Sequence, residues 1–137
     1  MARPRPAMPR VSGAMHSLLQ LARYAAVGVA ATALHYLLLV LCVEVGGWQP
    51  WWASGLGAAA GAQLAYLGNR RFTFAHRGAP SVSWPRFQAT ALLGAVVGMG
   101  VVAVGVWLGL HYLAAQAIAT ILMLLLTFAL NRGWTFG

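Results

Sequence analysis

The sequence predicts an all-α integral membrane protein, built from four transmembrane helices as two parallel-repeat helical hairpins with both termini cytoplasmic. Three observations predict it. The 137-residue chain is 61% hydrophobic and 7% charged, with a mean hydropathy of +0.73. A soluble domain needs a mixed-charge surface that this composition cannot supply. The apolar residues gather into four runs of near-membrane length, and all nine arginines fall on one side of those runs.

Residues 1–20 open with "MARPRPAMPR" and read as a basic, Pro-containing, disordered tail, its arginines placed for anionic head groups. The start resembles a signal peptide. The apolar run behind it, about 23–43, is longer than the roughly 7–15 residues of such a segment and leads into more membrane, so it reads as a retained span. The other runs cover about 51–68, 87–110 and 112–130. Each is near the roughly 20 residues that cross about 30 Å of hydrocarbon at about 1.5 Å per residue. The second run is short and holds Gly55, Gly57, Gly61 and Gly68, so its ends are the least sharply marked. A soluble core helix would show polar residues at helical intervals, and residues 94–110 offer only the indole of Trp107.

Arginine placement sets the orientation. Arg3, Arg5, Arg10 and Arg23 precede the first run, Arg70, Arg71, Arg77 and Arg86 separate the second from the third, and Arg132 follows the fourth. The loops "EVGGWQP" and "GLHY" carry no Lys or Arg. The positive-inside rule makes the arginine side cytoplasmic, which requires an even number of spans. The domain then covers 21–137.

The same inventory excludes much chemistry. One cysteine, Cys42, rules out an internal disulfide and a multi-Cys metal site. With Glu44 as the only acid there is no carboxylate pair, and no Ser-His-Asp set or phosphate loop is present. An enzyme, a cofactor, a bound metal and a nucleic-acid partner are therefore not expected.

The string "NRRFTFA" at 69–75 returns as "NRGWTFG" at 131–137, with Asn69 and Asn131 62 apart. The openings "RYAAVG" at Arg23 and "RFQATA" at Arg86 lie 63 apart. Each half, about 21–75 and 84–137, starts and ends on the arginine side. That pattern is a parallel duplication about an axis along the membrane normal.

These motifs resemble the GtrA-like proteins, small four-span membrane proteins found beside polyprenyl-phosphate glycosyltransferases. The resemblance covers roughly 21–136 and is carried by "RYAAVGVAATALHY", "NRRFTF" and "NRGWTF". Tyr66 stands where a phenylalanine is expected, which keeps an aromatic ring ahead of Asn69. The resemblance implies flipping of sugars linked to polyprenyl phosphate across the inner membrane for cell-envelope polysaccharide glycosylation. The alternative it also allows is a non-transporting subunit that docks a glycosyltransferase and presents polyprenyl phosphate.

For either role the candidate phosphate contacts are Arg23, Asn69, Arg70, Arg86, Asn131 and Arg132. A guanidinium offers a planar pair of hydrogen bonds to one phosphate and stays charged. The N-termini of the first and third helices add positive dipole ends on that side. The competing role for these residues is topological anchoring and helix capping, and Arg71 and Arg77 read as anchors. Tyr24, Phe72, Phe74, Phe87, Trp134 and Phe136 form an interfacial aromatic belt, or stack on isoprenoid or sugar. Within the membrane, Thr32, His35, Gln63, Gln88 and Gln116 are the principal polar residues, with Thr90, Thr120 and Thr127. His35 reads either as a sugar or proton contact or as a neutral ring bonded to another helix. Gln63 and Gln116 are candidates for joining helices, and "SGLGAAAGA" from Ser54 for close helix approach, within one chain or in a homodimer. Small drug-efflux transporters share this size and use one intramembrane carboxylate, but Glu44 falls at the outer boundary.

Overall fold

The computed structural model describes residues 11–73 and 80–135, with side chains described for 13–73 and 84–126. All four apolar runs are helical. Helix α1 (Val11–Val40) continues into a π-helical turn (Leu41–Val45), and α2 (Pro50–Gly68) into a second one (Asn69–Thr73). Helices α3 (Pro80–Trp107) and α4 (Tyr112–Thr135) complete the chain. Two segments, Gly13–Val45 and Trp84–Trp107, are long and apolar enough to cross a membrane.

The helices extend beyond the apolar runs on the arginine-bearing side. Half of the expected 1–20 tail is helical, because α1 starts at Val11, and α3 starts at Pro80, well before residue 87. Proline suits the first turn, where its missing amide has no intrahelical partner anyway. Pro85 follows inside α3, where it removes one backbone hydrogen bond near the helix start.

Packing follows the rules of lipid rather than water. Leu92, Leu93, Val96, Leu122, Leu124 and Leu125 are among many large apolar side chains left exposed, while Ala31, Ala53, Gly57, Gly61, Ala115 and Ala119 are buried. In water this would forgo about 25 cal/mol for each Å² of apolar surface left uncovered. In lipid it costs nothing, and small residues let helix backbones touch. A Cβ at Gly57 would lie 2.6 Å from the His35 carbonyl oxygen, and one at Gly61 2.8 Å from that of Ala31. A Cβ at Gly68 would instead meet the Val27 side chain, 2.7 Å from Cγ1. Gly57, Gly61 and Gly68 of α2 therefore serve contact with α1 inside one chain, while Gly55 faces Met99 of α3. Helix α2 packs between α1 and α3, and α4 packs on α3; α1 and α4 share no comparable packed face among the described residues.

The two arginine-free turns close alike. Gly47 (φ 65°) and Gly109 (φ 87°) both take left-handed conformations, which only glycine adopts freely, and they lie 62 apart. The Leu110 amide donates to the Gly105 carbonyl at 3.0 Å, and the Trp48 amide to the Cys42 carbonyl, also at 3.0 Å. Those bonds join corresponding positions, yet the one at Trp48 spans an extra residue. The π turn at Leu41–Val45 absorbs it, since π bonds reach one residue further than α bonds. Thus the change in offset from 63 to 62 falls in the π turn that continues α1, not in a loop.

A deletion follows from this. Removing Val43 should be tolerated, because the turn can tighten to α-helix, whereas removing Ala33 should rotate the start of α1 by about 100° against α2 and abolish folding. Detergent size-exclusion profiles check this; identical behaviour of the two deletions would refute it.

Candidate lipid head-group site

At the arginine-bearing end, the π turn after α2 sends its two arginines in different directions. Arg70 donates from Nη1 to the Tyr66 hydroxyl at 3.3 Å, and the Tyr66 ring lies 5.3 Å from that of Phe87 on α3 at 48°. Arg71 instead lines a groove of about 580 Å³ toward α1, together with Arg23, Val27, Leu64 and Phe72. Its guanidinium carbon is 5.8 Å from the Phe72 ring centroid. Two cations thus share an apolar, lipid-exposed groove. Arg71, read from sequence as an anchor, joins Arg23 there, while Arg70 is engaged on the other side of α2. The signal was present: Gly57, Gly61, Leu64, Gly68 and Arg71 recur at helical spacing along the face that meets α1.

Asn69 is used locally. Its Oδ1 accepts from the Thr73 hydroxyl at 3.1 Å, and the buried Thr73 offers its carbonyl to Gln20 Nε2 at 3.2 Å. These bonds tie the end of α2 to α1. Arg86 and Tyr24 are exposed, and the Arg86 carbonyl accepts from the Thr90 hydroxyl at 3.1 Å. Asn131, Arg132 and Trp134 belong to the last turns of α4, but their side chains lie outside the described residues, as do Phe74 and Phe136. The dipole ends lie further off than expected. Helix α1 begins three turns before Arg23, and a helix dipole acts mainly within its first turn.

Deeper in the bundle, Thr32, His35, Ser54, Gln116 and Thr120 line one cavity of about 390 Å³. Ser54 donates to Gln116 Oε1 at 2.6 Å, and the two residues are only 2% and 3% exposed. Gln116 therefore does join helices, through a serine that sequence reading had counted only as a small packing residue. The Thr120 hydroxyl gives its one hydrogen to the Gln116 carbonyl at 2.9 Å, so Tyr36 must be the donor in the 2.8 Å bond to Thr120. Half-buried His35 keeps Nε2 enclosed with no protein partner. Gln63 and Gln88 lie elsewhere, in an α2–α3 groove with Trp48 and Trp52, where the Gln88 Oε1 is also without a partner. Glu44, in the π turn, accepts from the Tyr112 hydroxyl at 2.6 Å and so ties α1 to α4.

The Ser54–Gln116 bond has a measurable value. Ser54→Ala should cost about 1 kcal/mol, because side-chain bonds between membrane helices average about 0.6 and reach about 1.7 kcal/mol. In a double-mutant cycle with Gln116→Leu, unfolding in detergent should show the pair costing less than the sum of the singles. Strict additivity would mean the bond contributes nothing.

An apolar exterior, small residues at the helix contacts and polar side chains turned inward together define a multi-pass helical membrane protein. The family model for the GtrA/DPMS transmembrane domain matches residues 23–136, and the chain belongs to that family. No curated protein and no solved structure matches.

Proposed function

We propose that the protein binds a polyprenyl-phosphate-linked sugar and carries its head group across the bacterial inner membrane, for glycosylation of cell-envelope polysaccharide. In this reading all four helices cross the bilayer, and the arginine-bearing end with both termini is cytoplasmic. Residues 21–137 form one duplicated domain. One observation carries the reading: within a chain of this family, Arg23 and Arg71 meet at an apolar groove on the lipid-facing surface. A lipid phosphate presents an anion and a hydrocarbon tail together, and this groove offers guanidinium groups beside Val27, Leu64 and Phe72. Few other ligands need both at the head-group level.

The test uses purified protein in liposomes holding a polyprenyl-phosphate hexose in the outer leaflet only. A soluble probe that modifies accessible sugar should lose access to part of the pool as the lipid reaches the inner leaflet. Full, lasting accessibility would sink translocation. Transfer of the sugar only after a glycosyltransferase is added would support the docking-subunit role instead.

A further inference from the structure

We propose that the cavity between the four helices holds the head group itself, and that it is built for a single uncharged sugar. The inference rests on the lipid-linked-sugar reading above and deepens it. Lining positions pair at the repeat offsets: Thr32 with Ala95 and His35 with Gly98, 63 apart, and Ser54 with Gln116, 62 apart. Ser54 and Gln116 bond directly to each other, so the axis relating the halves passes through that bond and the cavity lies along it.

The two walls differ in chemistry. On α1 and α4 the paired positions carry Thr32, His35, Gln116 and Thr120, whereas Ala95, Gly98 and Ala58 leave the opposing wall smooth apart from Ser54, whose hydroxyl is engaged by Gln116. A pyranose ring has the same division, with hydroxyls around its edge and an apolar C–H face. Its hydroxyls would meet the α1–α4 wall at Thr32 and Thr120, and its C–H face the alanine and glycine wall. Among the described residues no Arg, Lys, Asp or Glu lines the cavity, so a charged sugar would enter without a counter-ion at high cost. A volume of about 390 Å³ lies at the small end of the roughly 300–1,000 Å³ typical of ligand pockets, which suits one ring rather than an oligosaccharide. The α1–α4 seam is the route from lipid: α2 and α3 are packed together, whereas among the described residues α1 and α4 are joined by the Tyr36–Thr120 and Glu44–Tyr112 bonds rather than by a packed face.

Binding of three lipids to the full chain in nanodiscs tests this: polyprenyl phosphate alone, the same carrier with one neutral hexose, and the carrier with one hexuronic acid. The neutral form should bind about tenfold more tightly than the bare carrier, a difference of about 1.4 kcal/mol, and the hexuronic form no better than bare. Free hexose should not displace it. Gly98→Leu fills the cavity and should erase the preference. Gly100→Leu should keep it: an added Cβ meets nothing within 4 Å at either glycine, but only Gly98 lines the cavity. Thr32→Val, nearly isosteric, should lower the preference severalfold without a folding defect. Equal preference in the two leucine variants, competition by free hexose, or equal binding of neutral and acidic sugars would overturn the inference. If wild type binds bare and hexose-bearing carriers equally, the cavity site fails while the carrier site stands. Binding of neither removes both.

Discussion

Gly57→Leu is expected to leave the chain inserted in the membrane but to separate α1 from α2, with the largest stability loss of any substitution considered. The new Cβ alone would stand 2.5 Å from His35 Cδ2 and 2.6 Å from its carbonyl oxygen. A flexible side chain could yield, but a backbone carbonyl within a helix cannot without moving the helix. Overpacking typically costs about 1–3 kcal/mol, and a backbone contact places this case at or above the upper end. Gly57→Ala should show the same defect in weaker form. Gly100→Leu, on the open face of α3, should be close to neutral. Unfolding in detergent measures all three, and equal stability of Gly57→Leu and Gly100→Leu would contradict the packing described.

Replacing Arg23 and Arg71 by glutamine should have the largest effect on binding of polyprenyl phosphate. A charge-assisted hydrogen bond to phosphate is worth roughly tenfold or more in affinity. Both side chains are exposed, so each single change should cost about tenfold and the double change about a hundredfold, with screening by salt reducing both. Arg70→Gln should cost less, because the Arg70 guanidinium is held by Tyr66 toward α3. Arg71→Lys keeps the charge and loses the planar fork, so it should fall between wild type and Arg71→Gln. The measurement is lipid binding in nanodiscs at fixed salt. A greater loss from Arg70→Gln than from Arg71→Gln would move the head-group site away from the Arg23–Arg71 groove.

Legibility of the site in the sequence was uneven, and particular residues show why. The arginines and the intramembrane polar residues could be picked out by type, yet their partners could not. Gln63 and Gln116 looked equivalent, one on the second helix of each half, but Gln116 meets Ser54 while Gln63 faces a separate groove. Arg70 and Arg71 are neighbours in "NRRF" and face different helices. The change in repeat offset from 63 to 62 was visible in the sequence, but a longer loop would produce it equally well. Only the π turn at Leu41–Val45 places it in the helical continuation of α1, where it brings Glu44 to Tyr112.

From the sequence alone came the four helical runs, the lipid-adapted composition, the cationic side and the family. These properties accumulate along the chain: hydropathy and charge add residue by residue and need no partner. The tertiary structure decided which residues face one another. It paired Arg71 with Arg23, set Ser54 against Gln116 and gathered Thr32, His35 and Thr120 around one cavity. Those facts depend on the rotation of each helix about its axis, where one residue is worth about 100°. In α2 that rotation is locked by Gly57 and Gly61 against the carbonyls of α1, a contact between segments that no local pattern contains.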